Sequence, residues 1–202
     1  MRQIFTTIFQ GEINGQLMNT IQTYNTFLEM SSIKRKIGID IHGVINVNPD
    51  IFSALTKKFK DLGYEIHVLT GPRLNQPYKT RTGNYNSVEE ELVRHDIIYD
   101  HLFSVLDYNI EQGEDAWEDE KGWWTSDESW NKTKAEYCQR EQIDFHIDDT
   151  KIYGKFFTTP FAHLTPPADV RKLELHGISE DDEIIQIIKS VAGDKFIYEK
   201  MD

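Results

Sequence analysis

The sequence is poor in three features that mark particular classes of protein. Cys138 is the only cysteine, which excludes a disulfide within the chain and a zinc site built from several cysteines. Basic side chains number 22 against 34 acidic ones, and the formal charge of −12 argues against a long nucleic-acid partner. No apolar run reaches the roughly 18 residues of a membrane span, and no apolar signal segment follows Arg2. We therefore expect a soluble, cytoplasmic protein that does not bind membranes.

The chain does contain alternating short apolar strands and amphipathic helices. Strands are expected at 36–41, 65–69, 102–106, 143–147 and 161–164, and helices at 49–62, 87–95, 131–141 and 180–192. Pro49 suits the start of a helix and Gly63 its end, and Ser179 with Asp182 resembles a helix cap. This alternation predicts an α/β fold, a three-layer Rossmann-like parallel sheet flanked by helices.

Two segments stand apart from this pattern. Residues 1–32 predict a strand and a helix, interpreted as an N-terminal appendage to a main domain at 33–202. Residues 109–130 form an acidic insertion that holds all four tryptophans of the protein. The insertion is either a mobile lid that excludes water and stacks on a base or sugar, or a loop anchored by buried indoles. The sequence leaves both interpretations open.

Three predicted strands end in polar side chains. Asp40 precedes a glycine turn, Thr70 ends the next strand, and Asp148 with Asp149 ends a later one. Ligands of parallel sheets bind outside the carboxyl ends of the strands, so these side chains are expected to form one site.

Together these residues resemble the motifs of a known family. Asp40-Ile41-His42-Gly43-Val44, the strand ending in Thr70, a helix-borne lysine and Asp148-Asp149 are similar, in order, to the four motifs of the haloacid dehalogenase (HAD) superfamily. The resemblance covers roughly residues 36–165, and the stretch from 130 to 149 is similar to nucleotidase-like HAD phosphatases. It implies a HAD-type sheet. Helix 49–62 leaves no room for a large cap domain between the first two motifs.

The resemblance implies a Mg²⁺-dependent phosphohydrolase of a small phosphorylated metabolite, with a nucleoside monophosphate weakly favoured. Asp40 would attack phosphorus and form an aspartyl-phosphate. Mg²⁺ would be held by Asp40, by the backbone carbonyl of His42, and by Asp148 or Asp149. Thr70 would donate a hydrogen bond to a phosphoryl oxygen.

The lysine motif has two candidates, and the residue two positions after Asp40 in the first motif differs from the family pattern. Lys132 is preferred as the catalytic lysine because it opens the predicted helix, with Lys134 as the alternative. His42 stands where family phosphatases usually carry a second aspartate that acts as general acid and base. An imidazole suits both tasks near neutral pH. The alternative is a catalytically degenerate HAD-fold protein that binds a phosphate ligand or a protein partner.

Substrate contacts are expected from two loops. Loop 71–85 carries the basic residues nearest to the expected site, and we assign substrate binding to Gly71, Arg73, Lys79 and Arg81. Trp123 and Trp124 of the insertion are the aromatic candidates. The alternative for loop 71–85 is a solvated loop without a ligand. His67 and His146, inside strand patterns, are interpreted as packed or edge residues. The oligomeric state does not follow from the sequence.

Overall fold

A computed structural model of the chain describes residues 34–120 and 122–201. The N-terminal appendage predicted for residues 1–32 lies outside these ranges. The strands are β1 (Lys36–Asp40), β2 (Glu65–Thr70), β3 (Tyr78–Lys79), β4 (Asn84–Tyr85), β5 (His101–Ser104), β6 (Trp117–Asp119), β7 (Gly122–Trp124), β8 (Phe145–Asp148), β9 (Phe161–Leu164), β10 (Arg171–His176) and β11 (Phe196–Lys200). The helices are α1 (Pro49–Asp61), α2 (Val88–Arg94), α3 (Val105–Glu111), α4 (Asp127–Arg140) and α5 (Glu183–Ala192), with 3₁₀ turns at Ile45–Val47, Lys151–Lys155 and Gly193–Lys195.

Seven strands form the central sheet, in the order β11-β10-β9-β8-β1-β2-β5. The strands from β9 to β5 in that order are all parallel; β10 runs antiparallel to β9, and β11 runs parallel to β10. The chain runs from β1 outward through β2 to β5, and then returns to β8 on the other side of β1. The direction of winding therefore reverses between β1 and β8, which is where open parallel sheets place their ligand crevice.

The two faces of the sheet bury different sets of side chains. Ile66 and Val68 of β2 belong to the larger buried cluster, which also contains residues of α1 and α5. Leu69, one position further along the strand, packs instead with Tyr137 and Cys138 of α4. Successive strand residues point to opposite faces, so helices cover both sides of the sheet. This arrangement confirms the predicted α/β architecture of a sheet flanked by helices, whereas the antiparallel pairing of β10 with β9 departs from the wholly parallel sheet that was expected.

Helix starts follow from local capping. Ser87, Ser126 and Asp182 each accept a hydrogen bond from a backbone N–H in the first turn of α2, α4 and α5, respectively. The cap of α5 is thus Asp182 itself, and α4 begins four residues before the predicted position 131. None of the helices in the described ranges is long and apolar enough to cross a membrane.

The predicted strand 102–106 is wrong at its carboxyl end. The side chain of Ser104 accepts a hydrogen bond from the N–H of Asp107, which starts α3 at Val105. The sequence reasoning also missed α3 itself, β10, β11 and two hairpins. Hairpin β3-β4 occupies loop 71–85, and hairpin β6-β7 lies in the acidic insertion, whose ends belong to α3 and α4.

Candidate active site

Three carboxylates meet at the carboxyl edge of the sheet. Asp40 and Asp148 end the adjacent parallel strands β1 and β8, whose register pairs Ile39 with Ile147, and Asp149 follows directly. Asp40 is 3% exposed and Asp148 is fully buried. One carboxylate oxygen from each of the three residues lies within 4.8 Å of the others. The structure therefore brings together the acidic residues that the sequence placed in one site, and this group could hold a metal ion.

A buried lysine joins two of these carboxylates. Lys134 Nζ donates hydrogen bonds to Asp40 Oδ1 at 2.6 Å and to Asp148 Oδ2 at 2.7 Å, and the residue is 4% exposed. Lys132, the lysine preferred from the sequence, contacts neither carboxylate. Its side chain is 37% exposed, and its Nζ lies 3.9 Å from Glu136 Oε1. Two residues correspond to a rotation of about 200° around a helix, so only one of the two lysines can face the sheet. That lysine is Lys134, the alternative candidate.

The pKa values of the two buried acids are shifted in opposite directions. Burial raises the pKa of Asp40 above its usual range even though Lys134 opposes the shift. Burial also acts on Asp148, but Lys134 and His146 outweigh it and hold the pKa of that carboxyl below its usual range. Burial and the charge of Asp148 raise the pKa of Asp149. The three acids outnumber the lysine and the arginine that act on them, Lys134 and Arg171, which favours binding of a further cation.

The turn after β1 requires glycine. Gly43 has φ of +86°, and a Cβ on this residue would lie 1.8 Å from Asp149 Oδ2. Arg171 of β10, which is 2% exposed, donates from Nη2 to the carbonyl of Gly43 at 2.7 Å. Thr150 also positions one of the acids, because its backbone N–H donates a hydrogen bond to Asp148 Oδ1 at 2.9 Å. Sequence reasoning missed Arg171, since β10 was not predicted.

His42 is held by residues from two other elements. Its Nε2 lies 3.2 Å from Glu91 Oε2, and its Nδ1 lies 3.3 Å from Thr70 Oγ1. Burial would raise the pKa of Glu91, but hydrogen bonds from His42 and Tyr78 lower it overall, so Glu91 is a carboxylate. An ionised carboxylate only accepts hydrogen bonds, so Nε2 carries the hydrogen and Nδ1 faces Thr70.

Glu91 is the main residue of the site that the sequence reasoning missed. It is fully buried in α2 and also accepts a hydrogen bond from the hydroxyl of Tyr78 at 2.5 Å. A signal for it exists in the sequence, because Val88 and Leu92 mark the buried stripe of the helix and Glu91 lies between them on the same face. A carboxylate in a buried stripe needs polar partners, and here the partners are His42 and Tyr78.

A cleft of about 1210 Å³ opens above the carboxylates. Asp40, His42, Lys134 and Asp149 line its floor. The predicted substrate-binding residues all line it as well, namely Gly71, Arg73, Lys79, Arg81, Trp123 and Trp124. Hairpins β3-β4 and β6-β7 thus form walls of the same cleft.

Three of the four tryptophans of the insertion line the cleft. Trp130 packs against the backbone of Gly71, where a Cβ would come within 2.7 Å of the indole ring, and its Nε1 donates to the hydroxyl of Tyr153 at 2.8 Å. Trp124 lies against it, with ring centroids 5.2 Å apart, and is half-buried, as is Trp123. Trp130 therefore anchors this wall, and it lines the cleft together with Trp123 and Trp124.

The walls differ in charge. Arg73 Nε donates to Asp107 Oδ1 at 2.8 Å, so part of its charge is compensated. Lys79 and Arg81 of the β3-β4 segment form no ion pair with any residue in the described ranges. Three acidic residues of hairpin β6-β7 line the cleft as well, namely Glu118, Asp119 and Glu120. The cleft therefore has cationic groups on one hairpin and anionic groups on the other.

Comparisons with protein-family models, with curated proteins and with solved structures give no match to this chain.

Proposed function

We propose that the protein is a Mg²⁺-dependent phosphohydrolase of the HAD type, acting on a small phosphorylated metabolite. The observation that carries the proposal is the contact of Asp40 with Lys134 beside Asp148 and Asp149, at the point where the winding of the sheet reverses. A buried acid of raised pKa in a cleft, with a lysine and two further acids around it, suits phosphoryl transfer better than structural packing alone.

The residues around Asp40 fit Mg²⁺. The available donors are oxygens, which Mg²⁺ prefers, and the three carboxylate oxygens within 4.8 Å of one another carry more negative charge than Lys134 balances. Asp40, Asp148, Asp149 and the carbonyl of His42 would hold the ion. A bound Mg²⁺ would neutralise phosphoryl oxygens that otherwise repel an incoming carboxylate.

The contacts of the Asp40 side chain support the proposed covalent catalysis. Lys134 binds Oδ1, so Oδ2 is the oxygen that attacks phosphorus, and the bond from phosphorus to the leaving oxygen breaks. The leaving oxygen takes a proton from Nδ1 of protonated His42. Nδ1 then accepts a proton from water, which attacks the aspartyl-phosphate and releases phosphate and free Asp40. Glu91 holds Nε2 throughout, so Nδ1 is the nitrogen that exchanges protons.

The cleft favours a substrate with one phosphoryl group and a flat ring. Trp123 and Trp124 offer stacking surface for a base, as a nucleoside monophosphate requires. The acidic β6-β7 wall opposes a chain of several phosphates, because like charges repel in a narrow cleft.

A panel of phosphate monoesters with Mg²⁺ tests the proposal. We expect turnover by the wild type and a fall in kcat of at least about 1,000-fold in Asp40→Asn, as for loss of a nucleophile elsewhere. Asp61→Asn, an exposed change at the end of α1, is the matched control and should leave kcat unchanged. Equal rates for the wild type and Asp40→Asn would contradict the proposal. Phosphate binding without turnover by the wild type would favour the degenerate HAD-fold alternative.

A further inference from the structure

We propose a second metal site, for zinc or a similar transition-metal ion, formed by Glu65, His67 and His101 at the amino-terminal end of the sheet. These three residues form the other group in the described ranges that has ligand atoms within 4.8 Å of one another. The site does not depend on the proposed phosphohydrolase activity.

Strand register creates the cluster. Parallel pairing places His67 of β2 opposite His101 of β5, and their rings stack with centroids 4.4 Å apart. Glu65 precedes His67 by two positions, so its side chain emerges on the same face of the sheet. The edge strand β5 and its neighbour therefore each contribute at least one donor.

The distances suit a small tetrahedral ion. Glu65 Oε1 lies 2.9 Å from His67 Nε2 and 3.1 Å from His101 Nε2. Bonds of 2.0–2.1 Å at tetrahedral angles place ligand atoms roughly 3.3 Å apart, so each of these two distances needs to lengthen by only a few tenths of an ångström. The two imidazole nitrogens lie within 4.8 Å of each other. His101 is 53% exposed, which leaves solvent access to a fourth position.

The donor types discriminate between the two candidate sites. Two imidazole nitrogens and one carboxylate suit zinc, copper or nickel, whereas the oxygen-only group at Asp40 suits Mg²⁺. The separation is also large enough for independent sites. His67 and Thr70 are three positions apart on β2, or about 10 Å along the strand, and the cleft lies beyond Thr70.

Tyr137 of α4 forms a hydrogen bond with the ring nitrogen of His67 that would not bind the metal. Its hydroxyl lies 2.8 Å from His67 Nδ1, the ring nitrogen that does not face Glu65. A hydroxyl both donates and accepts, so it can bond Nδ1 with or without its hydrogen. Nε2 can therefore exchange its hydrogen for a metal ion without loss of the outer hydrogen bond. Outer contacts of this kind orient metal-binding histidines.

The positive charge of Lys36 opposes metal binding at this site, so removing it should strengthen the binding of zinc. Its Nζ lies 3.8 Å from Glu65 Oε1 and donates to the carbonyl of Glu141 at 2.9 Å. A positive charge so close weakens binding of a divalent cation. Lys36→Gln should therefore bind zinc more tightly than the wild type, and weaker binding by this variant would overturn the assignment.

Calorimetric titration of tag-free protein with Zn²⁺, in excess Mg²⁺ to fill the oxygen site, tests the proposal directly. We expect one Zn²⁺ per chain, affinity lower by at least about tenfold in His101→Gln, and a loss of about tenfold in Tyr137→Phe. His176→Gln, a histidine of β10 outside the cluster, is the matched control. Equal zinc affinity in His101→Gln and the wild type, or no zinc binding by the wild type, would overturn the site.

Thermal unfolding supplies a second measurement. An ion that bridges β2 and the edge strand β5 binds only the folded state, so zinc should raise the Tm of the wild type. Without zinc, His101→Gln should unfold at nearly the wild-type temperature, because its side chain is half-exposed. Zinc should then raise the Tm of this variant by less than it raises that of the wild type, and an equal rise in both proteins would overturn the site.

Discussion

The floor and the walls of the cleft are built in different ways. Asp40 and Lys134 on the floor, and Asp148, which Lys134 also binds, are nearly inaccessible to solvent, and each is fixed by a sheet strand or a long helix. The walls are hairpins whose strands have only two or three residues, with charged side chains directed at the cleft. A change on the floor leaves a buried charge without its partner, whereas a change on a wall exchanges one solvated group for another. In the proposed phosphohydrolase, the floor would therefore fix the chemistry, and substrate recognition would be adjustable on the walls.

Beyond the loss of turnover in Asp40→Asn, the lysine pair of α4 tests the comparison most strongly. Lys134→Met leaves Asp40 and Asp148 buried without their shared cation, so we expect the free energy of unfolding to fall by about 3–5 kcal/mol. Lys132→Met is the matched control, with an expected change within about 0.5 kcal/mol because its ion pair with Glu136 is exposed. Urea denaturation without metal measures both. Equal losses in the two variants would contradict a specifically buried role for Lys134.

Glu91 links floor and wall, since it contacts both His42 and Tyr78. If it positions His42, Glu91→Gln should lower kcat about 10- to 100-fold, within the range of general acid–base effects, and leave KM within about twofold. The neighbouring Glu90→Gln is the matched control, because Glu90 pairs with Arg94 on the outer side of α2. A rise in KM with kcat unchanged would instead assign Glu91 to substrate binding.

The local sequence pattern was sufficient to predict the acidic residues of the floor. Each floor acid follows a short apolar strand, and the polar residue that ends the strand is visible without knowledge of the partner strand. The choice of lysine was harder, because which lysine faces the sheet depends on the residue at which the helix begins. Ser126 caps α4 earlier than the predicted start at 131, and helix starts are weakly encoded where several serines and acids adjoin. The acids were thus predictable as a group, and the choice between Lys132 and Lys134 was not.

The walls and the edge of the sheet were predictable only in part. Strands of two or three residues are too short to show periodicity, so β3, β4, β6 and β7 had no clear pattern. Glu91 has a partner 49 positions away, which no local pattern reveals. β10 was different, because its buried and exposed residues alternate along Arg171–His176 and a period of two was present to be found.

The smallest expected effect is on the basic wall. Arg81→Ala should raise KM about two- to fivefold and leave kcat unchanged, because an exposed charge contributes about 0.2–1 kcal/mol to an ionic contact. Arg94→Ala, an exposed arginine on α2 that does not line the cleft, is the matched control and should leave KM unchanged.

Ionic strength separates a direct contact of Arg81 from a structural effect. At about 1 M salt the Debye length falls to about 3 Å, so attraction between a solvated guanidinium and a phosphoryl group is largely screened. The KM values of the wild type and Arg81→Ala should then converge, whereas kcat of Glu91→Gln should remain low, since Glu91 is fully buried. If the gap between the wild type and Arg81→Ala persisted at high salt, Arg81 would shape the hairpin rather than attract the substrate. Hairpin β3-β4 would then share the structural character of the floor.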